Sequence, residues 1–188
     1  MPVPTEKHPF PPFLPEGARI LFLGSFPPQE HRWCMPFYYP NWINDFWRIM
    51  GLIHFGDKNH FCVAGEKRFD EALIRRFCTR EGLVFYDTAC EVRRLKDNAS
   101  DAFLEVVTPT DIPALLARIP ECRALVTTGE KASSIVAQTF SFPIPPVGGF
   151  VDITIGPRPI RFWRMPSTSR AYPLPLEKKA DAYRQLFL

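Results

Sequence analysis

The sequence predicts an α/β fold with a mostly parallel central sheet. Three observations carry that prediction. Short apolar runs of strand length recur at residues 19–24, 83–86, 123–127 and 160–163. Stretches with a helical apolar period lie between these runs and after the last, and such alternation packs helices on both faces of a parallel sheet. The residues richest in chemistry follow the ends of the runs, which is where open α/β sheets bind ligands.

Taken in order, residues 1–16 hold six prolines and show neither helix nor strand period. They are expected to form an extended arm laid across the surface, with one domain over residues 17–188. The apolar run 19–24 is a buried strand, followed by a long loop to about Pro40. A helical stretch at 44–50 is expected to close at Gly51. Residues 71–78 read as a helix with Ala72, Leu73 and Phe77 on one side. Residues 83–86 form the second strand. Thr110 or Asp111 caps a short helix with Pro113 in its first turn. Residues 123–127 form the third strand, and Gly129 leads into a helix from Glu130 to about Thr139. A rigid turn covers 143–149. Residues 160–163 form the fourth strand, and 176–187 a terminal amphipathic helix.

Composition narrows the function classes. A chain of 188 residues, 46% of them hydrophobic, is about one domain and can bury a core. Aromatics reach 14%, including 17 Phe, which suits a dense core and stacking surfaces. A net charge of +3 gives no broad basic field. That argues against a protein that coats nucleic acid, and leaves room for one that touches a few phosphates. No run is long enough to span a membrane, and the N-terminus has no secretory pattern, so a cytoplasmic location is expected. The cysteines Cys34, Cys62, Cys78, Cys90 and Cys122 are scattered, so reduced, mostly buried thiols are expected rather than disulfides or an iron–sulfur cluster. The histidines, His8, His31, His54 and His60, are equally dispersed, which makes a zinc site improbable.

Three stretches stand out. Residues 20–28 (ILFLGSFPP) end an apolar strand in a tight Gly/Pro turn. Residues 38–47 (YYPNWINDFW) cluster aromatics around Asn44 and Asp45. Residues 165–170 (MPSTSR) form a hydroxyl-rich loop before the terminal helix. Asp87 closes the second strand. In this order and spacing, over residues 19–188, the chain resembles the uracil-DNA glycosylase superfamily, whose members remove damaged or misplaced bases from DNA. Within it the chain is most similar to the hypoxanthine-DNA glycosylase and mismatch-specific uracil glycosylase-like branch. The resemblance implies a three-layer α/β/α sandwich with a central, mostly parallel sheet of about four strands. It also implies a monofunctional DNA glycosylase that acts, most simply as a monomer, on double- or single-stranded DNA and needs no cofactor or metal.

Residue roles follow by position. Most members of the superfamily carry an acid or Asn two places after the first Gly of the turn; here that place is Phe26, whose ring cannot position water. In the hypoxanthine-cleaving branch the catalytic Asn stands in the next segment, which is Asn44 here, with Asp45 in reserve. An Asn carbonyl oxygen can hold a water; a helix N-cap is the alternative for Asn44, and a charge near the helix N-terminus the alternative for Asp45. Tyr39 stands where relatives stack the extruded base, with Phe37, Tyr38 and Trp42 as neighbours of similar chemistry. Gly24 and backbone amides near Ser25 and Phe26 would face a base carbonyl. Asp87 would read the base edge, as an acceptor only when ionised; a loop-capping Asp is the alternative. Arg93 and Arg94 could meet phosphate or simply be solvated. Pro166, Ser167, Thr168, Ser169 and Arg170 resemble the loop that enters the minor groove, with Arg170 filling the gap left by the flipped base. A non-catalytic binder of modified bases, or a small-molecule nucleotide hydrolase on the same fold, is the competing class.

Overall fold

The computed structural model describes residues 2–188. The first strand, β1 (Thr5–Lys7), belongs to the N-terminal arm. Strand β2 (Ile20–Gly24) opens the central sheet. After a long loop come helices α1 (Phe46–Phe55) and α2 (Glu71–Glu81). Strand β3 (Leu83–Asp87) pairs with β2 in parallel. The chain then makes an excursion through β4 (Ala89–Arg94) and β5 (Leu104–Pro109), and returns by α3 (Ile112–Ala117) to β6 (Ala124–Thr128). Helix α4 (Glu130–Phe140), strands β7 (Phe150–Ile155) and β8 (Arg158–Met165) and helix α5 (Leu176–Arg184) complete the chain.

The central sheet has the order β3-β2-β6-β8-β7. Four of its strands run parallel, and β7 is antiparallel at the edge. Alternation along β2 explains the layers. Phe22 points into a core shared with α1, α2 and α5, whereas Leu21 and Leu23 point into one shared with α3 and α4. The three-layer α/β/α arrangement is therefore present, as the sequence predicts.

Several details differ from expectation. Strand β7 is additional; its inward Val151, Ile153 and Ile155 alternate with Phe150, Asp152 and Thr154, and it turns into β8 through Gly156–Pro157. A second sheet, β1-β4-β5, is antiparallel, so the arm contains a strand where no strand period was read. Helix α1 runs through Gly51 and closes at Gly56, which adopts the left-handed conformation at φ 66°. Gly51 serves packing instead: a Cβ there would lie 2.4 Å from the Asp57 carbonyl oxygen. Asp111 caps α3, accepting from the Ala114 N–H at 2.9 Å. No described helix is long and apolar enough to cross a membrane.

The strand order has a functional consequence. From β2 the chain goes first to β3 on one side and later to β6 on the other, so β2 sits at the topological switch point where such sheets open a crevice.

Candidate functional site

Register brings the strand ends level. Gly24 pairs with Asp87, and Thr128 with Met165, so the C-terminal ends of β2, β3, β6 and β8 deliver their loops to one edge of the sheet. There a cavity of about 650 Å³ opens. Its walls include Gly24, Ser25, Phe26, Tyr39, Asn44 and Asp87, and Ser167, Thr168, Ser169 and Arg170 close the other side. Of the predicted site residues, only Asp45 and Pro166 do not line it.

Gly24 is required by close approach. A Cβ at this position would lie 2.7 Å from Asp87 Oδ1, nearer than a real Cβ contact allows. The missing side chain lets the Asp87 carboxylate fold over the β2 end.

Tyr39 adopts φ 52°, in the left-handed region that non-glycine residues rarely occupy. Two contacts fix it. Its hydroxyl hydrogen-bonds Thr128 Oγ1 at 2.8 Å, and its ring lies on Phe46 with centroids 3.9 Å apart and planes 3° apart. Phe46 therefore backs one face of an aromatic plate at the cavity wall, and burial pushes the Tyr39 hydroxyl pKa far up, so it stays protonated. Phe37 and Trp42 are core instead. Phe37 is packed among Phe13, Tyr38 and Phe85, and Trp42 lies beneath the Arg48 guanidinium. Tyr38 reaches the cavity wall but is 3% exposed, and it donates its hydroxyl to the Pro11 carbonyl.

Asn44 lines the cavity, and its Oδ1 accepts from the Phe46 N–H at 2.9 Å in a local turn just before α1, whose N-cap position is Asp45. This bond engages one of the two Oδ1 lone pairs and fixes the rotamer, leaving the second lone pair and the amide N–H groups.

Asp45 faces the protein interior. Its Oδ2 accepts from Lys179 Nζ at 3.0 Å, its Oδ1 lies 3.4 Å from Arg170 Nη2, and its N–H donates to the Thr168 carbonyl. Lys179 is fully buried and also donates to the Ser169 carbonyl at 2.8 Å. Asp45 thus ties the α1 start to α5 and to the 165–170 loop, and the reserve catalytic candidate is an anchor outside the cavity. Pro166 is also structural; its carbonyl accepts the Tyr183 hydroxyl at 2.7 Å. Arg170 sits at the rim, half exposed, leaning on Asp45.

Phe26 packs against Ala89, Val92 and Leu104 and meets the His8 ring edge-on at 5.2 Å. Asp87, 7% exposed, has its Oδ2 2.8 Å from His8 Nε2. Burial pushes the Asp87 carboxyl pKa up, and the His8 contact draws it back.

Sequence reasoning missed several groups at this edge. Asp101 also lines the cavity; it accepts from Ser25 Oγ at 2.6 Å, and burial raises its pKa. It lies in the β4–β5 excursion, where no local pattern marks it. Arg94, read as phosphate-binding or solvated, has a side chain only 6% exposed, gripped by Glu6 at 3.1 Å and by the Pro27 carbonyl. Thr128 follows the predicted third strand and was findable by the strand-end rule. His8 was findable too: Glu6, His8 and Phe10 alternate inward between the exposed Thr5, Lys7 and Pro9.

No protein-family model matches the sequence, and no curated protein does. Solved structures do match, with 22 chains doing so. One covers the chain from end to end. It is the solution structure of a Methanosarcina acetivorans protein described as a "putative Uracil DNA glycosylase", with a TM-score of 0.63 and 19% identity over 97% of this chain and 99% of that one. The likeness establishes the shared α/β fold.

The cavity gathers several kinds of side-chain chemistry around one space. It offers an aromatic plate at Tyr39, an acceptor at Asp87, a carboxamide at Asn44, and a hydroxyl-rich loop with a cation at the mouth.

Proposed function

We propose that this protein is a monofunctional DNA glycosylase that hydrolyses the N-glycosidic bond of a deaminated or mismatched base, such as hypoxanthine or uracil, in base-excision repair. One observation carries the reading: segments 24–28, 38–44 and 167–170, remote in sequence, meet Asp87 around a single cavity at the switch point of the sheet. The fold shared with the Methanosarcina acetivorans protein supports it.

The reaction places three demands on the protein. The sugar carbon is shielded in the stacked duplex, so the nucleotide must be turned out. The sugar becomes cationic and the departing base anionic in the transition state. A water must reach the sugar. In this reading the 166–170 loop and Arg170 press on the DNA and fill the gap. Tyr39, backed by Phe46, receives the flipped base. Asp87 and the amides of the Ser25–Phe26 turn read its edge. Asn44, its rotamer fixed by the Phe46 N–H, holds the attacking water through its second lone pair. No step needs a cofactor.

The test uses oligonucleotides carrying a single uracil, hypoxanthine, xanthine or mismatched thymine, incubated with the protein and then cleaved at abasic sites with alkali. Strand scission only after alkali, on at least one substrate and with no release from free nucleosides, is expected. Release from nucleosides but not from DNA would favour a small-molecule hydrolase, and release from neither a non-catalytic binder.

A further inference from the structure

We propose that His8, from the N-terminal arm, is a positioning residue for base recognition: it holds Asp87 so that one carboxyl oxygen is tied down and the other is presented to the cavity as an acceptor. The inference rests on the glycosylase reading above and adds a specificity element that the arm supplies.

The placement begins with a period of two. Pairing of Thr5–Lys7 with β4 makes the arm a strand, and the His8 N–H continues the ladder to the Cys90 carbonyl at 2.8 Å. Alternation then turns Glu6, His8 and Phe10 inward. Phe10 enters the core, whereas Glu6 and His8 each take hold of a charged residue that lines the cavity. Glu6 grips the Arg94 guanidinium with both carboxylate oxygens, at 3.1 and 3.2 Å. His8 reaches Asp87 from the side away from the cavity; Asp87 lines that cavity and His8 does not. The imidazole is boxed by Tyr86 at 4.6 Å, Phe26 at 5.2 Å, Tyr38 at 6.0 Å and Phe10 at 6.1 Å. Its side chain is 3% exposed, so it cannot swing away to water.

Proton accounting gives the consequence. His8 Nδ1 lies 3.1 Å from the Phe10 N–H and 2.8 Å from the Phe10 carbonyl. A neutral ring accepts the former bond at Nδ1, and a cationic ring donates the latter. In both forms Nε2–H donates to Asp87 Oδ2. Were the shared proton to move onto Oδ2, it would still lie between Oδ2 and Nε2. In every case Oδ1, which lies over Gly24 at the cavity wall, is left as an acceptor. A base presenting a ring N–H at that point is taken, and one presenting a lone pair is refused, because two facing acceptors leave a buried group unpaired. Without His8, burial favours the protonated acid, which is free to rotate and donate, and the pattern at the cavity wall inverts.

The experiment compares the full-length wild type, His8→Gln and His8→Phe by single-turnover base release from duplexes whose target base presents a ring N–H (hypoxanthine or uracil) or a lone pair at the corresponding ring nitrogen (adenine or cytosine), with thermal melts to confirm folding. Gln keeps an N–H near the Nε2 position; Phe fills the box without one. The expected result is a fall of at least tenfold in the rate ratio of N–H-bearing to lone-pair-bearing bases for His8→Phe, with His8→Gln returning the ratio towards wild type. Folded His8→Phe with wild-type rates and ratios would overturn the inference and leave the glycosylase reading standing. A uniform loss in both variants, with unchanged ratios, would also overturn it and make His8 a fold residue. Wild type inactive on every duplex would remove the glycosylase reading and this inference with it.

Discussion

Lys179→Met is the sharpest test of how the site is held together. Lys179 is fully buried, and its ammonium binds Asp45 Oδ2 at 3.0 Å and the Ser169 carbonyl at 2.8 Å. Met preserves most of the apolar stem and removes the charge, so packing changes little. What remains is a buried Asp45 carboxylate without its main partner and a loop carbonyl without its donor. Breaking one side of a buried pair costs about 3–5 kcal/mol. Arg170 stays 3.4 Å from the other oxygen of Asp45 and leads to water, which places the cost near the lower end, at about 3 kcal/mol. For a domain of this size that corresponds to a fall of about 6–12 °C in Tm. Urea unfolding of Lys179→Met, Asp45→Asn and the double variant measures it. The double variant should be more stable than the sum of single losses predicts, by about 2 kcal/mol, because the neutral amide no longer needs the ammonium. Losses that simply add, or a Lys179→Met loss below about 0.5 kcal/mol, would refute the view that this pair anchors α1 to the 165–170 loop.

Three further outcomes are expected. Asn44→Ala should lose about 1 kcal/mol with the side-chain bond to the Phe46 N–H and two to three powers of ten in single-turnover base release, whereas Asn44→Asp, which can accept from the same N–H, should keep the stability; an Asn44→Ala enzyme with near wild-type rate would reduce Asn44 to a turn residue before α1. Gly24→Ala places a Cβ 2.7 Å from Asp87 Oδ1, so it should cost about 1–3 kcal/mol of stability by overpacking and lower base release at least tenfold, read by melts and the alkali assay. Asp101 has a folded pKa raised by burial, so its acid form suits the fold; that contribution is full below the usual carboxylate range and is lost as pH rises through the raised value. Asp101→Asn should therefore be more stable than wild type at neutral pH, by about 1.4 kcal/mol for each pKa unit of the rise, and should lose that advantage below about pH 4 in urea titrations across pH.

How far the sequence discloses this molecule depends on the range of the interaction concerned. The parallel strands are plain because β2, β3 and β6 are short apolar runs buried on both faces, and that needs no partner to be recognised. Helix α2 is plain because its polar and apolar residues separate on opposite faces and Asp70 caps it locally. Strand β7 had a readable signal in the alternation of Val151, Ile153 and Ile155, obscured by Gly and Pro on either side. The β4–β5 pair was hidden for a different reason. Its solvent face carries Glu91, Arg93 and Glu105, its inner face holds little beyond Ala89, Val92 and Leu104, and so few apolar residues do not mark a period.

The two acids beside the cavity show why side-chain roles are harder still. Asp45 and Asp87 each stand at the junction of an apolar element and a loop, and each is nearly buried. From sequence, Asp45 stood in reserve behind Asn44, with a charge near the helix N-terminus as its alternative. Its fate was decided by Lys179, 134 positions away, which neutralises it and turns it into a tie between α1 and α5. Asp87 was read as facing the base edge or capping a loop, and its partner is His8, 79 positions earlier in a proline-rich arm. The same carboxylate chemistry is thus an anchor in one place and, in the proposal above, an acceptor facing the cavity in the other. The difference is whether the partner uses up both oxygens: Lys179 and Arg170 take one each from Asp45, whereas His8 takes only Oδ2 of Asp87 and leaves Oδ1 over Gly24 at the wall of the cavity.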